Sequence, residues 1–177
     1  MHRLRSDYDN AEAALNGALG LYRRIGSRLG KANVHLLLGI VRYSVGDHPG
    51  AVAPLEDALR RYVELGDRRG EANALLQLGI VRYMGGDLTG AVDLLSRSLR
   101  RSRELNDLPG MSSELTVLGY VHRLRGDYPA AEAALAEALQ QSRELGDRLR
   151  EATAFSHLGA VLHRTGDRAG AADALAR

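Results

Sequence analysis

Apolar residues recur along this chain at intervals of three and four, in blocks cut by short glycine- and aspartate-bearing segments, which is the periodicity of amphipathic helices. In the block after Asp67, residues Leu75, Leu78 and Val81 share one face, and Gly85-Gly86 closes it. The pattern predicts a helix from about 68 to 84, with Asp67 as its N-cap. Asp87 then opens a second helix, in which Ala91, Leu94, Leu95, Ser98, Leu99 and Leu105 form a broader apolar stripe ending at Asn106-Asp107. Neither helix is apolar on all sides. A lone hairpin would leave its stripe in water, so stacked neighbours must complete the core.

The same signals return every forty residues. Asp7, Asp47, Asp87, Asp127 and Asp167 mark one phase, four of them preceded by glycine and Asp7 by Ser6. Leu38-Gly39, Leu78-Gly79, Leu118-Gly119 and Leu158-Gly159 mark a second, and Ala11, Ala51, Ala91, Ala131 and Ala171 a third. Each unit closes on Glu64-Leu65-Gly66-Asp67, Glu104-Leu105-Asn106-Asp107 or Glu144-Leu145-Gly146-Asp147. The period divides the chain into a partial repeat over 1–31, full repeats over 32–71, 72–111 and 112–151, and a partial repeat over 152–177. Glycine inside the first helix of each unit costs about 1 kcal/mol relative to alanine. A closely approaching neighbour is the expected compensation, with Ala51, Ala91 and Ala131 on the opposing helix.

Composition agrees with an all-α class: Leu, Ala and Val supply most of the apolar residues, and aromatics make up 5%. The formal charge is only +2, with Lys31 the sole lysine. Arginine pairs such as Arg23-Arg24, Arg60-Arg61, Arg68-Arg69 and Arg100-Arg101 alternate with Glu64, Asp67, Glu104 and Asp107, which argues against a nucleic-acid-binding face. The absence of cysteine removes disulfides, thiolate nucleophiles and cysteine-based metal sites. No apolar run reaches the roughly twenty residues of a spanning helix, and the basic start Met1-His2-Arg3-Leu4-Arg5 leads into Ser6-Asp7 rather than an apolar segment. A cytoplasmic location is the default expectation.

The Leu-Gly, Gly-Asp and Ala framework, with the pairs Ala58-Leu59 and Ala138-Leu139, resembles tetratricopeptide (TPR) repeats over essentially the whole chain. Six residues beyond the common thirty-four-residue form make it similar to the longer repeats of spindle-orientation adaptors, kinesin light chains and bacterial signalling ATPases and transcriptional regulators. The Arg, Ala, Leu and Gly bias is similar to that of high-GC bacteria and favours the bacterial regulators. The family's aromatic early in the first helix is replaced by His35, Leu75, Leu115 and Phe155, and its tyrosine after Leu-Gly by Arg42, Arg82, His122 and Leu162.

The resemblance implies a right-handed superhelical solenoid of antiparallel helix hairpins whose concave groove, lined by first helices, holds a protein or peptide. The candidate groove residues are Asn33, Leu36, Ile40 and Tyr43, then Asn73, Leu76, Ile80, Tyr83 and Met84, then Ser113, Thr116, Tyr120 and Arg123. The early part is apolar and tyrosine-bearing, the later part polar and basic. Asn33 and Asn73 are candidates for holding peptide backbone, since an amide both donates and accepts. The alternative for Leu36, Ile40, Leu76 and Ile80 is packing against neighbouring units.

Residues 2–8 nearly reproduce residues 122–128, which predicts that the chain opens near the end of a first helix, with a second helix over residues 8 to 25. Such incomplete terminal repeats suggest either an excised piece of a longer protein or head-to-tail or swapped oligomers. Catalytic chemistry finds no support. His157 and His163 are six apart, unlike an i, i+4 metal pair. Ser96, Ser98, Ser102, Ser112 and Ser113 lack a strand-turn-helix nucleophile elbow, and the glycines form neither a dinucleotide fingerprint nor a phosphate loop. The expected protein is therefore no enzyme and takes no metal or cofactor. Pro54 falls inside a second helix, which must kink or begin late.

Overall fold

The computed structural model describes residues 2–166, with side chains over residues 8–166. Among them are eight helices and no strand: α1 (His2–Arg24), α2 (Arg28–Ser44), α3 (His48–Leu65), α4 (Arg68–Met84), α5 (Leu88–Glu104), α6 (Leu108–Arg125), α7 (Tyr128–Leu145) and α8 (Arg148–Thr165). The helix expected over 68 to 84 is α4.

One residue type sets the punctuation. Asp47, Asp67, Asp107, Asp127 and Asp147 each accept, through the side chain, the backbone N–H three residues ahead, at 2.9, 2.9, 3.2, 3.3 and 3.0 Å. Their own backbone N–H groups donate back to the carbonyls of Arg42, Tyr62, Ser102, His122 and Ser142 at 2.9 to 3.0 Å. Each aspartate thus closes one helix with its main chain and opens the next with its carboxylate, satisfying groups that helix termini otherwise leave orphaned. Ser27 caps α2 in the same manner, at 3.1 Å from Gly30 N.

Before most of these caps the chain turns through a left-handed residue, Gly46 at φ 85° and Gly126 at φ 78° among them, and Asn106 takes φ 52° at the place equivalent to Gly66 and Gly146. Ser6 occupies the equivalent position near the start. There the expected break between two helices is corrected: α1 runs unbroken from His2 to Arg24. A residue with a Cβ resists the left-handed turn, and continued helix is the alternative.

The chain divides into two compact units, Met1–Asp87 and Leu88–Arg177. In the first, α1 packs on α2, α2 on α3, α3 on α4, and α2 lies beside α4. In the second, α5 packs on α6, α6 on α7, α7 on α8, and α6 lies beside α8. Leu19, Val34 and Leu38 form a core cluster of the first unit, and Ala131, Leu135 and Val161 one of the second.

The close approach expected at the Leu-Gly positions is present. A Cβ on Gly119 would sit 2.5 Å from Leu135 Cγ and 3.2 Å from the Ala131 carbonyl oxygen, and Gly39 faces Leu55 and the Ala51 carbonyl in the same way. The knob is the leucine four residues after the recurring alanine; the alanine, fully buried, lets the two backbones approach.

Pro54 neither delays nor divides its helix, since α3 spans His48–Leu65 with Pro54 buried inside. Its missing N–H deprives the Gly50 carbonyl of its intrahelical donor. Arg42 Nη1 supplies the bond instead, at 3.1 Å, while Arg42 Nε and Nη2 grip Glu12 Oε1 at 3.1 and 2.6 Å. One guanidinium therefore ties α1, α2 and α3 together.

Candidate functional site

The candidate groove residues lie on α2, α4 and α6, and the structure sorts them by accessibility. Leu36 is buried at 8% exposure and belongs to the core, as the packing alternative holds. Asn33 is exposed, but its Oδ1 accepts the Tyr62 hydroxyl at 2.8 Å, so only its amide N–H groups face outward unengaged by that bond. Burial, with a smaller contribution from Asp67, raises the Tyr62 pKa above its usual value. Ile40 and Tyr43 on α2 and Leu76, Ile80 and Tyr83 on α4 are half-buried, whereas Asn73 and Met84 are exposed. Tyr43 lies against His48, ring centroids 5.8 Å apart. Since α2 lies beside α4, the two helices present their aliphatic and tyrosine positions within the same unit.

On α6, Ser113 and Thr116 spend their hydroxyls locally, donating to the carbonyls of Pro109 at 3.0 Å and Ser112 at 2.8 Å, a common use of such residues inside helices. Tyr120 packs against His157 of α8 with ring centroids 5.2 Å apart, and the Arg123 guanidinium lies 5.0 Å from the Tyr120 ring centre. Burial and the neighbouring Arg123 charge lower the pKa of His157. His157 is therefore a packing histidine, and among the described residues no group of three or more His, Asp or Glu could hold a metal ion.

Several arginines elsewhere on the surface pair with acids: Arg28 with Glu64 at 3.3 Å, Arg103 with Glu137 at 2.6 Å and Arg143 with Glu151 at 2.8 Å. No helix among the described residues is long and apolar enough to cross a membrane.

A polar cluster escaped the sequence reading. Glu114 of α6 is 2% exposed and accepts the hydroxyls of Ser98 and of Ser102, the latter at 2.8 Å, while its Oε2 is buried without a partner. Burial pushes its pKa up to about 6, against the opposing pull of the two serine bonds. The signal was present in the repeat phase: Glu114 occupies the position of Val34, Ala74 and Ala154, and Ser98 and Ser102 those of Ala58 and Tyr62. In the first unit Tyr62 fills the space beside Gly70, whereas Ser102 stands beside Gly110. The smaller serine leaves room for the carboxylate. Wholly buried, the cluster has no access for a substrate and acts within the core.

These helix hairpins, most of their helices capped by aspartate and two of the hairpins packed through a glycine-leucine contact, define a helical-repeat protein. Two family models, both described as tetratricopeptide repeat, match residues 1–64 with 112–177 and residues 36–105. The chain belongs to the tetratricopeptide repeat family. Among solved structures it is similar to BtubC (BKLC) from P. vanneervenii, with 20% identity, a TM-score of 0.90, and coverage of 98% of this chain and 72% of that one. It is also similar to MamA, with 20% identity, a TM-score of 0.71 and coverage of 98% and 87%. Nearly identical TPR-like repeats of kinesin light chain type from Podosopora anserina match with 13% identity, a TM-score of 0.79 and coverage of 97% and 84%. At these identities the likeness is one of fold. No curated protein matches the chain. Tetratricopeptide repeats generally mediate protein–protein interaction, and the family is typically non-catalytic.

Proposed function

We propose that the chain is a protein- or peptide-binding module, a segment of a larger bacterial signalling or transcriptional regulator working in the cytoplasm without a cofactor. Its binding units are the repeats at 32–71, 72–111 and 112–151. The partner is taken on the accessible face of the first helices, by Ile40 and Tyr43 of α2 and by Asn73, Ile80, Tyr83 and Met84 of α4 in the first unit; Tyr120 and Arg123 of α6 are the candidates of the second unit.

The observation that carries this reading is Met84, a large apolar side chain 45% exposed at the end of α4, next to the half-buried Tyr83 and Ile80. Aliphatic and tyrosine side chains grouped on one accessible face are the usual anchors of an interface. Affinity capture from the source cell, followed by mass spectrometry, identifies the partner. Tyr83→Ala with Met84→Ala is expected to lower capture at least tenfold while the circular-dichroism melt stays within a few degrees of the parent. Undiminished capture refutes the assignment.

A second reading, self-association into head-to-tail or swapped oligomers, draws on Leu21, Ile25 and Leu29, which are 55%, 72% and 47% exposed around the α1–α2 turn. Light scattering over a concentration series tests it; a strict monomer at high concentration removes it.

A further inference from the structure

The C-terminal turn of α6, the start of α7 and the last turn of α8 enclose a cleft of about 380 Å³ lined by Arg123, Leu124, Arg125, Gly126, Tyr128 and Arg164. It gathers arginine without acid, whereas several other arginines of this unit meet acids: Arg97 pairs with Asp93, Arg103 with Glu137, Arg143 with Glu151 and Arg150 with Asp147. Among the described residues no carboxylate pairs with Arg123, Arg125 or Arg164. Arg123 rests on the Tyr120 ring, with its Nε buried and lacking a hydrogen-bond partner. Among the described residues Arg164 reaches only the Tyr128 hydroxyl, from Nε and Nη2, both at 3.4 Å. Asp127, beside the cleft, is already engaged, accepting the Ala130 N–H and lying 3.3 Å from His122 Nδ1.

Three arginines line one concavity and have no carboxylate paired with them among the described residues, and the planar fork of arginine matches a carboxylate in bidentate fashion. The cleft admits a few side chains rather than a folded element. The chain's net charge is only +2, so a long polyanion such as nucleic acid would meet paired acids on either side. We propose that this cleft binds the carboxylate side chains of an acidic peptide segment, with Arg125 and Arg164 as the principal contacts and the Tyr128 hydroxyl as an added donor. The proposal rests on the reading of the chain as a peptide-holding module and adds a second, charge-selective contact different in chemistry from the apolar face of α2 and α4.

The test uses the full chain and a fluorescein-labelled hexaglutamate peptide, followed by fluorescence anisotropy, with a hexaserine peptide of equal length as reference. Hexaglutamate is expected to bind and hexaserine not to bind. Arg125→Gln with Arg164→Gln should weaken hexaglutamate at least tenfold and flatten its salt dependence, whereas Arg97→Gln, on a paired arginine of the same unit, should change it less than twofold. Both positions of the double variant are exposed, and an unchanged circular-dichroism melt verifies its fold. Equal binding of the two peptides, or equal weakening by Arg97→Gln, overturns the proposal. So does displacement of hexaglutamate by low-millimolar inorganic phosphate, which would mark a small-oxyanion site. Failure of the parent chain to bind hexaglutamate, with partner capture intact, defeats this cleft alone; loss of capture sensitivity at Tyr83 and Met84 with hexaglutamate binding by the parent intact defeats only the apolar face.

Discussion

Replacing Glu114 by glutamine should remove a pH dependence of stability that the core of the second unit imposes. The carboxyl is almost wholly buried and its Oε2 has no partner, so the neutral form is favoured although two serine hydroxyls donate to Oε1. Burial lifts its pKa from 4.5 to about 6, with Asp107 raising it slightly further and Arg103 opposing. The difference, 6 − 4.5, is worth about 2 kcal/mol at 1.36 kcal/mol per pKa unit. Because the folded-state pKa is the higher one, the folded protein holds the proton more tightly than the unfolded chain. The stabilisation is fully present below about pH 4.5 and is lost as pH rises through about 6. Glutamine keeps an oxygen for Ser98 and Ser102 and carries no charge. Urea melts of parent and Glu114→Gln from pH 4 to 8 isolate the effect, since shared titrations cancel in the difference. The variant should gain about 2 kcal/mol relative to the parent across that range, with the change centred between pH 4.5 and 6. A constant difference at every pH would refute the argument, showing that Glu114 titrates alike in the folded and unfolded states.

Other predictions use the packing. Gly119→Ala drives a methyl into Leu135, and overpacking of about 1–3 kcal/mol should exceed the helix-propensity gain of about 1 kcal/mol. Gly17→Ala on α1, where a Cβ meets nothing within 4 Å, should instead stabilise by up to about 1 kcal/mol; thermal melts with the same sign for both would contradict the contact. Arg42→Ala should cost about 1–3 kcal/mol by orphaning the Gly50 carbonyl and releasing Glu12. The same substitution in a Pro54→Ala background should cost less, because alanine in place of the proline returns the helical N–H to that carbonyl. A double-mutant cycle without coupling would show that Arg42 acts independently of the proline.

Much of this architecture was legible because caps and breaks are local. Aspartate at the head of each helix and glycine or Asn106 before it are choices a chain makes from a few neighbouring residues, which is why α4 falls at the bounds its sequence predicts. Ser6 shows the limit of reading by analogy: the phase of the repeat announced a turn, but the residue lacked the conformational freedom to make it. The bonds that join helices were not legible in the same way. Asn33 reads as a free amide until Tyr62, twenty-nine residues on, is seen to occupy its oxygen. Pro54 reads as a break until Arg42 is seen to replace its hydrogen bond.

The sequence by itself determined most of the helices and their caps, the repeat and the family, because these follow from local propensity and a periodic pattern repeated along the chain. Only the tertiary structure decided which polar side chains are spent inside the molecule and which are left over. Leu36 went to the core and Met84 to the surface; Ser98 and Ser102 were drawn to Glu114; Arg125 and Arg164 were left without an acid among the described residues. The reason is that burial and pairing are properties of neighbours distant in sequence, and a forty-residue period places equivalent residues in equivalent positions without fixing what each will find there.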